Sequence, residues 1–123
     1  MKAEELMIGD YVHVKPSGML MRVAAVHHKK VAYHSYVNKL AWVRGDLLES
    51  IPLTPEILEK NGFIKENGCW VLSDKHTGDK IISLFEVAKG FAMSTSGLTI
   101  GFQEVHKFQH LLELCGIKKE IIL

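Results

Sequence analysis

The first fifty residues alternate short apolar runs with glycine, proline or charged punctuation, and they read as a series of strands. Leu6-Met7-Ile8 runs into a turn at Gly9-Asp10, and Tyr11-Val12-His13-Val14 is rich in residues that suit extended backbone. Pro16-Ser17-Gly18 supplies the next turn. Met19 to Val26 alternates, which sets Met21, Val23 and Ala25 on one face and Arg22 and Ala24 on the other. The polar run His27-His28-Lys29-Lys30 is expected to be a loop. Val31 to Val37 follows as a third strand, with Val31, Tyr33 and Val37 opposite His34 and Tyr36, and Leu40 to Val43 is a fourth after Asn38-Lys39. Short strands at this density predict a small β-barrel of the SH3-like type over residues 1–50.

The pattern changes at Ile51–Phe63. Thr54 suits a helix N-cap, because its hydroxyl can accept from an otherwise unpaired backbone N–H, and Pro55 at the first helical position has no donor to lose. Leu53 and Leu58 have the spacing of a hydrophobic staple, and Gly62 after Asn61 can take the left-handed conformation that closes the helix. Phe63-Ile64-Lys65 and Cys69 to Leu72 flank Asn67-Gly68, a dipeptide that favours a tight hairpin turn. Ser73 to Lys80 is a polar loop. Ile81 to Val87 fits either a strand or a short helix by periodicity, and Gly90 to Phe102 suggests a further hairpin around Ser94–Gly97. From about Gln103, the residues Val105, Phe108, Leu111, Leu112 and Cys115 form one helical stripe that stops at Gly116, leaving Lys118 to Leu123 as a strand or tail. The expected fold class is therefore α+β. An SH3-like subdomain over 1–50 precedes an α+β subdomain over 51–123, in which helices at about 54–61 and 104–115 cover a small antiparallel sheet.

Composition adds bounds rather than a function. The 123 residues, 47% hydrophobic and 24% charged, are ordinary globular values, and such a chain can bury enough surface to fold without staples. No apolar run is long enough for a bilayer, and the acidic start MKAEELMIGDY lacks the pattern of a signal peptide, so a cytoplasmic protein with no membrane partner is expected. Cys69 and Cys115 stand far apart and outside any CxxC motif, which favours two reduced thiols. The net charge of +1 steers no partner, but its distribution is uneven. The first fifty residues carry seven Lys and Arg against five Asp and Glu, with both arginines and all three tyrosines.

Candidate chemistry is sparse. His106 and His110 share a face of the last helix and could reach one metal ion, yet no glutamate follows His106 and no third ligand is fixed, so no metal and no cofactor is expected. Asp74, His76 and Asp79 fall in one polar loop and could tune a base, although solubilising loops use the same residues. There is no GxSxG, no P-loop and no motif marking a cysteine nucleophile, so no enzyme is expected. One basic stretch is interleaved with aromatics: His27-His28-Lys29-Lys30, with Arg22, Lys39, Arg44, Tyr33, Tyr36 and Trp42 nearby, and its candidate nucleic-acid contacts are Arg22, His28, Lys29, Lys30 and Arg44. Cations for phosphates and flat rings for bases are what nucleic-acid binding needs. The competing structural reading puts Tyr33 and Trp42 in the core and the lysine pair on a solvated hairpin tip.

Three stretches, LMIGDYV, IPLTPEILEKNGF and VHKFQHLLELCGIKKEI, resemble in order and spacing a set of small proteins from gut anaerobes of the Bacteroides group, often phage- or mobile-element-associated. Those share an RIGN-x-V start, an IPLTEEWLLKFGF-like centre and a VHQLQNLYFALTGEEL-like end. In this chain Asp10 replaces the usual asparagine, and Lys107 and Phe108 stand where Gln-Leu is usual. The resemblance implies a two-part layout and a phage-related origin, and it carries over no functional residue. The expected function is a non-enzymatic binding or adaptor module acting on a protein partner or on a second copy. The alternative is a nucleic-acid-associated phage or mobile-element protein that uses the basic hairpin of the N-terminal barrel.

Overall fold

A computed structural model describes residues 1–34, 39–95 and 97–123, and the chain divides into two compact units, Met1–Ile51 and Pro52–Leu123. The described residues form eleven strands in three antiparallel sheets and two α-helices, an α+β protein. The expected third strand ended at Val37, and its last residues, Ser35 to Val37, lie outside the described residues.

The first unit contains β1 (Tyr11–Val14), β2 (Met19–Arg22), β3 (Ala25–His27), β4 (Lys30–His34), β5 (Leu40–Arg44) and β6 (Leu48–Glu49), with single 3-10 turns at Ala3–Glu5 and Gly45–Leu47. These strands pair as two three-stranded sheets, β2-β1-β6 and β3-β4-β5, and among the described residues they do not close into a barrel. Met19 to Val26 is not one strand. The backbone changes partners at Val23 and Ala24: the Val23 N–H donates to the Asp10 carbonyl at 2.8 Å, whereas the Ala24 N–H donates to the Ala32 carbonyl at 2.8 Å. That exchange divides β2 from β3 and turns Ala25 out of the Met21–Val23 face. The expected loop His27–Lys30 is also shorter than the sequence suggested, because His27 and Lys30 pair across the hairpin and only His28 and Lys29 turn, with His28 at φ 53°. A local core of Ala3, Leu6, Val12, Met21, Val23, Val31 and Leu48 holds the unit, with Val26, Tyr33 and Val43 packed against it.

The second unit contains α1 (Pro55–Lys60), β7 (Ile64–Glu66), β8 (Cys69–Ser73), β9 (Lys80–Val87), β10 (Gly90–Thr95), β11 (Leu98–Phe102) and α2 (Val105–Leu114). Its five strands follow one another as a meander, β11-β10-β9-β8-β7. Ile81 to Val87 is strand, because β9 is hydrogen-bonded to β8 on one side and β10 on the other, and a helix there would leave both ladders open. The α1 start is as the sequence dictates: the Ile57 N–H donates to the Thr54 hydroxyl at 3.3 Å, and Pro55 is the first helical residue. At its end Gly62 has φ 87° and the Phe63 N–H reaches back to the Leu58 carbonyl at 3.0 Å. The core centres on Phe108, which is fully buried and stacks on Phe102 with ring centroids 5.4 Å apart, while Phe63 tilts against it at 5.8 Å. The tail after α2 is irregular but anchored. Ile121 is buried, and the Asn61 side chain accepts from the Ile122 N–H at 2.7 Å and donates to its carbonyl at 2.8 Å.

Candidate functional site

The alternation of β5 sets Leu40, Trp42 and Arg44 on the outward face of the β3-β4-β5 sheet, with Ala41 and Val43 turned inward. Cross-strand register then decides what stands beside them. His27, Lys30 and Arg44 form one row across the three strands, and Ala25, Ala32 and Trp42 form the next. Trp42 is therefore a surface residue, 49% exposed, which overturns the expectation that it belongs to the core. Tyr33 does pack on the core, as the structural reading expects. The Trp42 indole meets the His27 ring edge-on with centroids 6.4 Å apart, and the His27 ring in turn meets that of His28 at 4.2 Å.

The basic row continues into a groove of about 670 Å³ lined by Lys2, Glu4, Lys29, Lys30, Arg44 and Asp46. The groove exists because the N-terminal 3-10 turn lies directly on Gly45: a Cβ there would come within 2.9 Å of the Ala3 backbone nitrogen. The Gly45 N–H also donates to the Lys29 carbonyl at 2.8 Å, which fixes the hairpin tip beside the end of β5. Asp46 pairs with Arg44 at 3.3 Å, but both side chains are about two-thirds exposed, and such a pair contributes only ~0–1 kcal/mol. A phosphate can therefore compete for the guanidinium.

Of the five basic residues singled out from sequence, Lys29, Lys30 and Arg44 share this groove, and His28 sits at the adjoining turn. Arg22 does not join them. It lies over the Tyr11 ring at 5.2 Å, donates to the Gly9 carbonyl at 3.3 Å, and borders a separate hollow of about 440 Å³ with Ile8, Leu20, Tyr33 and His34. His27 and Trp42 were legible in the sequence as neighbours of the basic stretch, although not among its five candidate contacts, whereas nothing local announces Lys2.

The other candidates resolve into structure. His106 is 2% exposed on α2: the apolar side of the helix is wide enough to take it in, and its ring meets that of the half-buried His110 at 5.8 Å. Among the described residues no three His, Cys, Asp or Glu are grouped to hold a metal ion. Asp74 spends its carboxylate on its own loop, accepting from the N–H of His76 at 2.7 Å and of Thr77 at 3.3 Å. Cys69 and Cys115 are free thiols, the first half-buried and the second exposed. In the second unit the Trp70 indole N–H donates to Glu86 at 2.9 Å and Lys65 lies 3.4 Å from the same oxygen; the indole first and the ammonium second hold the Glu86 carboxyl below its usual range.

No helix among the described residues is long and apolar enough to cross a membrane. Comparison of the chain with protein-family models, curated proteins and solved structures returns no match.

Proposed function

We propose that this protein is a non-enzymatic nucleic-acid-binding module and that the outward face of β3-β4-β5 is its binding surface. The observation that carries the reading is the meeting of Lys30, Arg44 and a half-exposed Trp42 on one sheet face, continuous with a groove bordered by Lys2 and Lys29. Cations neutralise phosphates, an exposed indole offers a face to a base, and the groove's acids are outnumbered four to two by its cations. A phage- or mobile-element-related origin, implied by the resemblance of the chain's ends and centre, suits such a role, and two free thiols suit the cytoplasm. The finer fold belongs to the same proposal: β1 pairs with both β2 and the unit's last strand, β6, while β3-β4-β5 forms the second sheet, the pairing scheme of an SH3-like barrel.

The test is binding of labelled oligonucleotides as a function of salt. Replacing Lys29 and Lys30 with Ala should weaken binding and flatten the dependence of log K on log salt by about 0.7–0.9 for each phosphate no longer neutralised. Absence of binding at low ionic strength refutes the proposal.

A second reading, contact with a protein segment or a second copy, is favoured by the hollow beneath Arg22, where Ile8 is 73% and Leu20 48% exposed. Sedimentation of the Leu20→Glu variant tests self-association. A wild-type protein that stays monomeric at every concentration removes that form of it.

A further inference from the structure

We infer that the occupant of the β3-β4-β5 face is a single strand of nucleic acid, with one unstacked base lying on the outward face of the Trp42 indole; this rests on the nucleic-acid reading above. The placement of the indole is the decisive feature. His27 lies on β3 and Trp42 on β5, two strand spacings apart and one row out of step, roughly 12 Å at the backbone, yet their ring centroids are 6.4 Å apart. The two side chains therefore lean toward each other across β4. What lies between them in the Trp42 row is Ala32, which is fully buried although it belongs to the outward face, and Ala25 beyond it. Small side chains there leave the indole room to lean over β4 toward His27, and about half of its surface stays exposed. An exposed indole offers a flat face to a base, and a base inside a duplex has no free face to meet it.

The cations are arranged to hold the strand that carries the base. Arg44 follows Trp42 by two residues on the same face, roughly 6.6 Å along β5, and Lys30 stands directly opposite Arg44. Lys29 and Lys2 extend the line into the adjoining groove. A strand whose base rests on Trp42 runs its phosphates past Arg44 and Lys30 toward the hairpin tip. Every base has a π-face, so the site selects single strands over duplexes rather than one sequence over another.

Fluorescein-labelled oligothymidine and a duplex of matched length, titrated at one salt concentration and read by anisotropy, test this. The expected result is tighter binding of the single strand, with Trp42→Ala reducing its affinity about 5- to 150-fold, the equivalent of ~1–3 kcal/mol for one stacked base. Trp42→Phe should keep part of the preference, and Lys30→Ala should weaken both probes. Trp42 is exposed, so loss of binding without loss of the far-ultraviolet dichroism of the fold separates stacking from unfolding. Quenching of tryptophan fluorescence by oligothymidine, present in the wild type and absent in Trp42→Phe, is an independent reading. Equal affinity for both probes with no effect of Trp42→Ala overturns the single-strand inference and leaves the nucleic-acid reading standing. Failure of both probes to bind overturns both.

Discussion

Replacing Asn61 with Ala should cost the second unit about 2–4 kcal/mol. The side chain, 3% exposed, makes three hydrogen bonds: its amide donates to the Ile57 carbonyl at 2.7 Å and the Ile122 carbonyl at 2.8 Å, and its oxygen accepts from the Ile122 N–H at 2.7 Å. At ~0.5–1.5 kcal/mol net for each bond the loss sums to about 3 kcal/mol, and any backbone group left buried without a partner adds to it. Undocking of the tail would let water satisfy those groups, but it would expose Ile121, now 1% exposed, at ~1.5–3 kcal/mol, so the escape route is about as costly as the injury. Backbone strain does not enter, since Asn61 sits at φ −98°, which alanine adopts freely. The assay is urea denaturation followed through Trp70 in a Trp42→Phe background, so that the signal comes from the second unit alone. Hydrogen exchange at the Ile122 amide is measured beside it. Asn61→Asp keeps the acceptor but faces two carbonyls with a carboxylate, and it should be no milder. A variant within ~0.5 kcal/mol of the wild type, with the Ile122 amide still protected, refutes the reasoning.

Other perturbations probe other parts of the molecule. Phe108→Ala removes the fully buried ring on which Phe102 and Phe63 rest and should cost ~3–5 kcal/mol in the same denaturation assay. Gly90→Ala should cost at least ~1–3 kcal/mol, because φ is 103° and a Cβ would collide with the Phe102 carbonyl of the paired strand; a change below that, seen as an unmoved midpoint, counts against the β9–β10 turn geometry. Glu86 titrates below its ordinary value of 4.5 in the folded protein, so its contribution is complete above that pH and is lost as pH falls through the lower folded value. Glu86→Gln still accepts from the Trp70 indole but cannot titrate. The stability difference between wild type and variant should be constant above about pH 5 and shrink below 4.5, and a difference that grows in acid contradicts the assignment.

Much of the secondary structure was legible because its causes are local. Thr54, Pro55 and Gly62 mark the ends of α1 by hydrogen-bonding capacity and backbone freedom, and the stripe from Val105 to Leu112 marks the buried side of α2, all within a few residues of where they act. Where the reading failed, the deciding interaction came from elsewhere in the chain. Met19 to Val26 looks continuous, and only the hydrogen bonds of Val23 to Asp10 and of Ala24 to Ala32 divide it. Ile81 to Val87 was ambiguous until the strands on either side claimed its backbone.

The candidate site follows the same division. The sequence by itself determined that Trp42 and Arg44 share a side of β5 and that basic residues cluster around His28, because a strand's side chains alternate with a period of two. It could not determine which side is covered, since that depends on where Val31, Val43 and the rest of the core lie. Nor could it set Lys30 opposite Arg44, which is a matter of register, or bring Lys2 beside Lys29, which depends on a turn resting on the bare backbone of Gly45. Alternation fixes a face; only tertiary pairing and burial decide what that face meets.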